Sequence, residues 1–333
     1  MSITLLNEND MRLIMNMDKA ISAVSKAASA YSNKQTDIPL RTNLHIKKYN
    51  GDSLFMYGSV PPVDALGIKL VSIFPDNPKL GLSSCLSTMI LEDAKTGEVV
   101  TIMNGTYLTQ LRTGALSGLA TKLLSNENSK IFALIGTGGQ ATCQLEAVLS
   151  VRNIKEVRVY SRNQDKVKKF IDDFINNHKE LCRDINFINS KNSDEAINNA
   201  DIITTVTTSN DPVINGDNVK KGCHINAVGS YTKEMSEIDE KTILKSNKIY
   251  VDTLDGTINE TGDFLKYIEK GTFNASKITG ELGELVDKKI EGRVNSDEIT
   301  FFETTGSAVF DLVTAEEISK EAKKLNLGTR VDL

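Results

Sequence analysis

The chain has 333 residues, of which 44 are acidic and 39 are basic, so its formal net charge is −5. A chain of this length has room for two domains or one large one. Apolar residues make up 40% and charged residues 25% of the chain, which excludes gross disorder. The mild acidic balance argues against nucleic-acid binding and against a polybasic membrane anchor, because both need a basic surface.

The sequence also argues against membrane insertion, secretion and metal binding. Apolar runs such as Ile131–Ile135 are far shorter than the roughly 20 residues that a bilayer span needs. The polar segment Asn7–Asp10 interrupts the start, where the apolar region of a signal peptide would lie. The four cysteines form no CxxC pair and the three histidines show no ligand spacing. We therefore expect reduced thiols, a cytoplasmic protein and no metal site.

The first third of the sequence predicts an α+β domain. Apolar residues at helical spacing predict one amphipathic helix over Asn9–Asn33. Short β-prone segments then predict an antiparallel sheet, with a hairpin turn at Asp93–Gly97 whose glycine supplies a positive φ. The predicted strands are Thr42–Lys47, Ser53–Tyr57, Gly67–Phe74, Ser87–Leu91 and Val99–Met103.

After a Gly-, Ala- and Leu-rich helix at Thr106–Leu124, the pattern alternates strands with helices such as Asp165–Asn177. Most of the strands are continuous apolar runs, which is typical of a parallel sheet covered on both faces. This predicts a doubly wound α/β domain, followed by a helical tail at Ser307–Leu325. The predicted strands are Ile131–Ile135, Val157–Tyr160, Ile185–Ile188, Asp201–Val206, His224–Val228 and Ile249–Val251.

A glycine-rich turn follows the first of these strands. Gly136–Ala141 reads G-T-G-G-Q-A and opens a helix, which is the G-x-G-x-x-A pattern of a dinucleotide-binding turn. The first glycine allows the tight turn, the second lets a pyrophosphate approach the backbone, and Ala141 lets helix and strand pack closely. The pyrophosphate would lie at the helix N-terminus. A merely structural turn is the alternative, but the strand, the helix and the βαβ pattern favour dinucleotide binding.

The end of the next strand bears on the choice of cofactor. An NAD site usually has Asp or Glu there to bind the ribose 2′-OH. The chain instead has Ser161 and Arg162, and Glu156 lies at the opposite end of the strand. Because both residues suit a 2′-phosphate, we expect NADP(H), with NAD(H) left open. The alternative is that Arg162 is a solvated loop residue that stacks on adenine.

Three cations in the front domain are candidate ligands for an anionic substrate. Lys69 shares a strand face with Gly67 and Val71, and a lysine in such an apolar strand needs a partner or a ligand. Arg112 lies among small residues of a helix, which leaves space for a ligand, and Arg41 is the third cation. Taken singly, each is more readily explained as a structural ion-pair partner. Beside a dinucleotide domain, the three together predict a carboxylate clamp.

Several segments together resemble the ornithine cyclodeaminase/μ-crystallin family over essentially the whole chain. The most specific is Asn104–Ala115, which reads N-G-T-Y-L-T-Q-L-R-T-G-A. The other matching blocks are Gly67–Lys69 with Phe74–Asn77, Gly280–Glu284 with Asp297–Thr300, and Gly328–Leu333.

This resemblance implies a Rossmann NAD(P)-binding domain, residues 116–307, inserted into an α+β substrate-binding and dimerisation domain, residues 1–115 plus 308–333. It also implies a homodimer joined through the front-domain sheets, and a small amino-acid or imino-acid substrate. By motif position, the substrate residues are Arg41, Lys69, Arg112, Thr304 and Thr305. With the phosphate turn included, the candidate cofactor residues are Ser84, Arg112, Thr113, Gly136, Gly138, Gly139, Gln140, Ala141, Ser161, Arg162, Thr205, Val228, Gly229, Ser230 and Tyr231.

One departure from the family pattern shapes the expected activity. True cyclodeaminases carry an acidic residue after the Ala-Val-Gly strand end, where this chain has Tyr231. Tyrosine titrates at about pH 10 and is a poor base at neutral pH, while Asp239 reads as a helix-start residue. We therefore expect an NAD(P)H-dependent reductase of a small 2-imino acid, either a cyclic imine-2-carboxylate or the imine of a 2-oxo acid. Lys69 is the candidate proton donor, or else only anchors the carboxylate.

Two other functions stay open from the sequence. An ornithine cyclodeaminase would oxidise, cyclise and reduce its substrate on one bound NAD and release ammonia, and Tyr231 counts against it. A non-catalytic binder of NADPH and a small molecule, of the μ-crystallin type, would bind the cofactor without turnover. The three retained cations count against this second alternative.

Overall fold

The computed structural model describes residues 2–333. The chain forms two compact units. Unit 1 contains the chain up to Arg112 together with Ser307–Leu333, and unit 2 contains Thr113–Gly306. No helix within residues 2–333 is both long and apolar enough to cross a bilayer.

The first part of the chain supplies most of unit 1 and ends in a long helix that continues into unit 2. Its elements are β1 (Ser2–Leu6), α1 (Glu8–Ile14), α2 (Met17–Ser32), β2 (Thr42–Ile46), β3 (Gly51–Val60), β4 (Ala65–Ile73), β5 (Cys85–Asp93), β6 (Val99–Asn104) and α3 (Gly105–Leu124).

The remaining elements alternate strands and helices through unit 2 and then return to unit 1. Those of unit 2 are β7 (Ile131–Ile135), α4 (Ala141–Val151), β8 (Glu156–Tyr160), α5 (Gln164–Asn177), β9 (Asn186–Asn189), α6 (Ser193–Ile197), β10 (Ile202–Thr205), β11 (His224–Ala227), α7 (Glu240–Lys245), β12 (Lys248–Val251), α8 (Leu254–Glu260), α9 (Gly262–Glu269), β13 (Gly280–Glu281), α10 (Leu282–Val286) and β14 (Thr300–Glu303). The last two elements, α11 (Ala308–Leu325) and β15 (Thr329–Asp332), belong to unit 1.

The seven strands of unit 1 form one sheet in the order β15-β1-β6-β5-β4-β3-β2. Neighbouring strands are antiparallel, as the sequence predicts, except that β1 runs parallel to β6. Helix α11 packs on β3, β4 and β5, and α2 packs on α11. The strand register aligns four buried residues across β3 to β6, and one of them, Lys69, is charged. The four are Met56, Lys69, Met89 and Met103.

The single helix predicted over Asn9–Asn33 is wrong, because the structure has α1 and α2 in its place. Met15 is extended between them, with φ −124° and ψ 108°. The side chain of Asn16 accepts a hydrogen bond from the N–H of Lys19 and caps the second helix. An Asn in this position satisfies an otherwise unpaired first-turn donor and so starts a new helix. Hydrophobic periodicity does not reveal such a short break.

Unit 2 has the doubly wound α/β fold that the sequence predicts. Its eight parallel strands have the order β13-β12-β14-β11-β10-β7-β8-β9. Along β7, Phe132 and Leu134 belong to one buried apolar cluster, whereas Ala133 and Ile135 belong to another. Both faces of the strand are therefore covered, which explains its continuous apolar sequence.

Two strands of this sheet were not predicted. Strand β14 lies between β11 and β12, inside the sheet, and all of its residues are buried. It has only four residues and ends in a glutamate, Glu303, so it carries no long apolar run. Strand β13 has two residues, which is too short for any periodic pattern.

Candidate functional site

The glycine turn after β7 has the geometry that a dinucleotide requires. Gly136 has φ +115°, and a Cβ atom there would lie 2.6 Å from the carbonyl oxygen of Val206. Only glycine accommodates this backbone without strain. At Gly138, a Cβ atom would meet nothing within 4 Å, so this exposed backbone borders open space. The buried Ala141 begins α4, and its N–H donates to the carbonyl oxygen of Gly138 at 3.0 Å.

A polar side chain at the same turn adds to this fit. Oε1 of Gln140, the N-cap residue of α4, is buried and has no hydrogen-bond partner among residues 2–333. A buried acceptor without a partner is costly unless a ligand or water satisfies it. The exposed glycines, this unpaired acceptor and the N-terminus of an eleven-residue helix together fit a dinucleotide pyrophosphate.

The end of β8 has no carboxylate. Ser161 is half-buried and its carbonyl oxygen accepts a hydrogen bond from Nε2 of Gln164 at 3.1 Å. Arg162 is exposed and has no ion-pair partner in the described part of the chain. Its guanidinium is therefore available to a ligand phosphate.

The carboxyl ends of β10, β11 and β14 lie at one edge of the sheet because these neighbouring strands are parallel. This brings together the candidate cofactor residues Thr205 and Val228–Tyr231. Glu237, which the sequence analysis missed, accepts hydrogen bonds from Oγ1 of Thr205 at 2.9 Å and from the N–H of Gly229 at 2.7 Å. The predicted substrate residues Thr304 and Thr305 follow β14 at the same edge.

The hydroxyl group of Thr304 is engaged within the protein. It donates to Oδ2 of Asp252 at 2.6 Å, and the N–H of Gly306 donates to the same oxygen at 2.8 Å. Thr304 and Thr305 are both buried. The turn after β14 is therefore tied to the end of β12.

In unit 1, two of the three predicted cations share one buried carboxylate. Nζ of Lys69 donates to Oδ2 of Asp311 at 2.7 Å, and Nε of Arg112 donates to Oδ1 of Asp311 at 2.9 Å. The relative exposure of these residues is 1%, 4% and 0% for Lys69, Arg112 and Asp311. Sequence reasoning missed Asp311, although an acidic residue within the apolar first turn of α11 is an available signal.

One carboxylate does not satisfy both cations. Lys69 Nζ also donates to Oγ1 of Thr109 at 3.2 Å, which leaves one of its three N–H groups over. Nη1 of Arg112 is buried without a hydrogen-bond partner among residues 2–333. The pair therefore keeps a net positive charge and unpaired donors, an arrangement that fits a ligand carboxylate.

The environment of Lys69 also alters its acidity. The pKa of Lys69 is lowered to about 8, mainly by burial and also by Arg112 and Arg41, while Asp311 acts in the opposite direction. The third predicted cation, the half-buried Arg41, is thus within electrostatic reach of Lys69. An ammonium with this pKa is protonated at neutral pH and is a stronger acid than an exposed lysine.

Two further candidate residues lie outside these clusters. Ser84 is exposed in the loop before β5, and its carbonyl oxygen accepts a hydrogen bond from the N–H of Phe74 at 2.8 Å. Thr113 is buried on α3, directly after Arg112. The roles predicted for both stay predictions.

Comparison with known proteins relates the chain to one enzyme family. The model of the ornithine cyclodeaminase/mu-crystallin family matches residues 2–326. A Δ1-pyrroline-2-carboxylate reductase of Bacillus cereus is 36% identical over 327 residues, which cover 98% of this chain and 99% of the relative.

Solved structures agree with this relationship. The Δ1-pyrroline-2-carboxylate reductase of Thermococcus litoralis, in complex with NADH and L-proline, superposes with a TM-score of 0.94 at 37% identity, and covers 99% of this chain and 100% of its own. An archaeal alanine dehydrogenase dimer with bound NAD has a TM-score of 0.91 at 32% identity, with full coverage of both chains. This chain belongs to the ornithine cyclodeaminase/mu-crystallin family, as its sequence motifs predict.

Proposed function

We propose that this chain is an NAD(P)H-dependent reductase of small 2-imino acids, with a cyclic Δ1-imine-2-carboxylate as the first substrate to test. The observation that carries the proposal is the buried pair Lys69 and Arg112, whose shared carboxylate leaves donors unpaired. The relatives named Δ1-pyrroline-2-carboxylate reductase support it, and so does the L-proline in one of their structures.

The substrate carboxylate would bind to the cations of unit 1. Nη1 of Arg112 is a buried donor without a partner, and the guanidinium group can pair with a carboxylate in a fixed orientation. Arg41 contributes further positive charge. Asp311 holds the side chains of Lys69 and Arg112 in place, so it acts as a positioning residue and does not itself bind the substrate.

Reduction adds a hydride to the imine carbon and a proton to the imine nitrogen. When bound, NAD(P)H supplies the hydride. Lys69 is the proposed proton donor, because its pKa of about 8 keeps it protonated at neutral pH yet able to release the proton. The alternative is that Lys69 only anchors the substrate carboxylate.

Unit 2 would hold the dinucleotide. The pyrophosphate would lie on the turn Gly136–Gln140, and the turn Val228–Tyr231 would lie along the nicotinamide half. The complexes of the neighbours contain NADH or NAD, which supports a nicotinamide cofactor. We propose a preference for NADP(H), because Ser161 and Arg162 replace a carboxylate and Arg162 has no ion-pair partner within residues 2–333.

We also propose a homodimer joined through the outer face of the unit 1 sheet. Strand register aligns Tyr57, Ile68, Ile90 and Ile102 across β3 to β6 on the face opposite Lys69. All four are at least partly exposed, and such a contiguous apolar surface usually marks an interface. The archaeal alanine dehydrogenase neighbour is a dimer. Sedimentation of wild type and Ile68→Asp tests this, with a monomeric wild type as the contrary result.

The compartment we propose is the reducing cytoplasm. All four cysteines are free, and Cys85 is exposed. Exposed free thiols persist where the environment keeps them reduced.

The function is tested by following NADPH and NADH oxidation by absorbance. Cyclic 2-imino acids, and 2-oxo acids with ammonia or amines, serve as substrates, and ornithine with ammonia detection is the comparison. Oxidation with an imino acid supports the reductase. Ammonia release from ornithine without net cofactor change would instead indicate a cyclodeaminase, and tight NADPH binding without any turnover would indicate a binding protein.

A further inference from the structure

We propose that Glu237 is a positioning residue for the dinucleotide, because its carboxylate fastens the turn Val228–Tyr231 to the end of β10. The inference rests on the proposed function, in which Thr205 and this turn belong to the cofactor site. Glu237 is fully buried and lies between β11 and α7. It has no role in the substrate chemistry described above.

The side chain of Glu237 joins two strand ends. Its Oε2 accepts from Oγ1 of Thr205 and from the N–H of Gly229, and its Oε1 accepts from the N–H of Thr207 at 2.5 Å. The two segments approach closely, since a Cβ atom at Gly229 would lie 2.1 Å from the carbonyl oxygen of Thr207. One carboxylate therefore sets the separation and register of the two turns.

Asp263 holds the backbone that carries this carboxylate. Its Oδ1 accepts from the N–H of Glu237 at 2.7 Å, from the N–H of Ile238 at 2.9 Å and from the hydroxyl of Ser236 at 3.0 Å. Asp263 belongs to the first turn of α9. The position of Glu237 is thus determined by a second buried side chain rather than by loop flexibility.

The turn is also held from its other side, through Ser230. The hydroxyl of Ser230 donates to the carbonyl oxygen of Met235 at 2.8 Å, which uses its one proton. The hydroxyl of Thr261 donates to the hydroxyl oxygen of Ser230 at 2.7 Å and makes a longer contact of 3.3 Å, again as donor, with Oε1 of Glu303. Ser230 therefore connects this turn to the residue that precedes α9.

The two glutamates differ in their surroundings. Burial raises the pKa of Glu303 well above the usual range, with Asp263, Glu237 and Asp252 adding to the effect, and this favours its neutral form. Glu237 accepts three hydrogen bonds, an arrangement that fits the ionised form. Pairs of carboxyl groups in different protonation states recur at functional sites.

The charged groups around Glu237 affect its protonation, so its positioning of the turn should depend on pH. Asp263, Glu303 and Asp252 are the acidic groups of this cluster, and Lys266 is the cation that acts on Asp263. Burial first, and Asp263 second, raise the pKa of Glu237 to about 7. When pH falls through this value, the carboxyl group gains a proton and loses an acceptor position. We therefore expect the affinity for the dinucleotide to decrease as pH falls.

The test compares Glu237→Gln with Glu298→Gln and wild type. Glu298 is a mostly buried glutamate that precedes β14, at the opposite end of that strand. NADH dissociation constants are measured by fluorescence between about pH 6 and pH 8.5. At about pH 8 we expect Glu237→Gln to weaken NADH binding about tenfold, because the amide nitrogen cannot accept. NADH binding to wild type and to Glu298→Gln should weaken below about pH 7, whereas NADH binding to Glu237→Gln should not change with pH.

The results separate this inference from the proposed function. If wild type binds neither NADH nor NADPH, both are wrong. If wild type binds and Glu237→Gln keeps the same affinity and the same pH profile, only the positioning role is wrong.

A measurement on wild type alone covers the case in which Glu237→Gln does not fold. Hydrogen exchange of the segment that contains Gly229 is measured with and without a fixed concentration of NADH. NADH should slow this exchange more at about pH 8 than at about pH 6, whereas the hairpin at Asp93–Gly97 should show no such difference. An effect of NADH that is equal at both pH values, together with a flat wild-type affinity profile, overturns the inference.

Discussion

Nζ of Lys69 lies 2.7 Å from Oδ2 of Asp311, although 242 residues separate them in the chain. Arg112 reaches the other oxygen of the same carboxylate. The two cations proposed to bind the substrate are therefore held in place by a residue of the last helix. The shared carboxylate explains how two positive charges coexist in the interior.

Asp311→Asn should reduce kcat/KM for imine reduction about a hundredfold, because both cations lose their fixed position. It should also destabilise the fold by about 3–5 kcal/mol, since a buried pair loses one partner. Steady-state kinetics and urea unfolding measure the two effects. The control is Glu317→Gln on α11, the helix of Asp311, which removes an exposed ion pair with Lys26 of α2 and should cost less than about 1 kcal/mol. Equal effects of the two substitutions would contradict the positioning role of Asp311.

The pH profile tests Lys69 as the proton donor. Because the protonated form must react and the pKa of Lys69 is about 8, kcat for imine reduction should fall as pH rises through 8. In Asp311→Asn this fall should move to lower pH, since Asp311 raises the pKa of Lys69. Lys69→Met should lose turnover and the pH dependence together. Turnover that survives in Lys69→Met with only KM raised would leave Lys69 as an anchor.

Two glycines of the phosphate turn should respond differently to alanine. Gly138→Ala should leave the unfolding free energy nearly unchanged, because a Cβ there meets nothing within 4 Å. It should nevertheless weaken NADH binding about tenfold, because the methyl group occupies the space of the pyrophosphate. Gly136→Ala should instead destabilise the fold by about 1–3 kcal/mol, because its φ is +115°. Calorimetry with and without NADH separates the two, and equal losses of stability would contradict the assignment.

Arg162 should determine part of the cofactor preference. Arg162→Ala should weaken NADPH binding about tenfold through loss of a charged contact to the 2′-phosphate, with little effect on NADH. The control Arg183→Ala removes an exposed arginine that pairs with Glu180 and should affect neither. Dissociation constants of NADPH and NADH for the three proteins show whether Arg162 favours NADPH. An equal loss for NADH and NADPH would indicate stacking on adenine instead.

The buried acidic cluster should make stability depend on pH. The pKa of Glu237 is raised to about 7 and that of Asp263 to about 6, in both cases mainly by burial. A carboxyl group whose pKa is higher in the folded than in the unfolded state stabilises the fold fully at pH values below its unfolded pKa. This stabilisation is lost as pH rises through its folded pKa. The melting temperature of the cofactor-free protein should therefore fall between about pH 5 and pH 8, and less so in Glu237→Gln. A melting temperature with the same slope in both proteins would contradict this.

Several features of this protein could be predicted from the sequence because they depend on local chemistry. Gly136 has a backbone that only glycine adopts without strain, and Gly138 leaves space for a ligand beside the backbone, so the turn can be predicted from six consecutive residues. The alternation of β4 places Lys69 on the buried face, and the structure puts it there. The family motifs and the imine-reductase interpretation agree with the comparisons.

Other features have no local signal. Asn16 divides the first helix by a side-chain cap, and β14 is recognised as a strand only through its pairing with β11 and β12. The same holds for Asp311 and Glu237, whose partners lie far away in the chain or in a neighbouring strand. The sequence by itself determined which segments are apolar, where the backbone must turn and which residue types reach the interior. Only the tertiary structure decided which buried charges meet, because that pairing depends on distant segments packing into one low-dielectric interior.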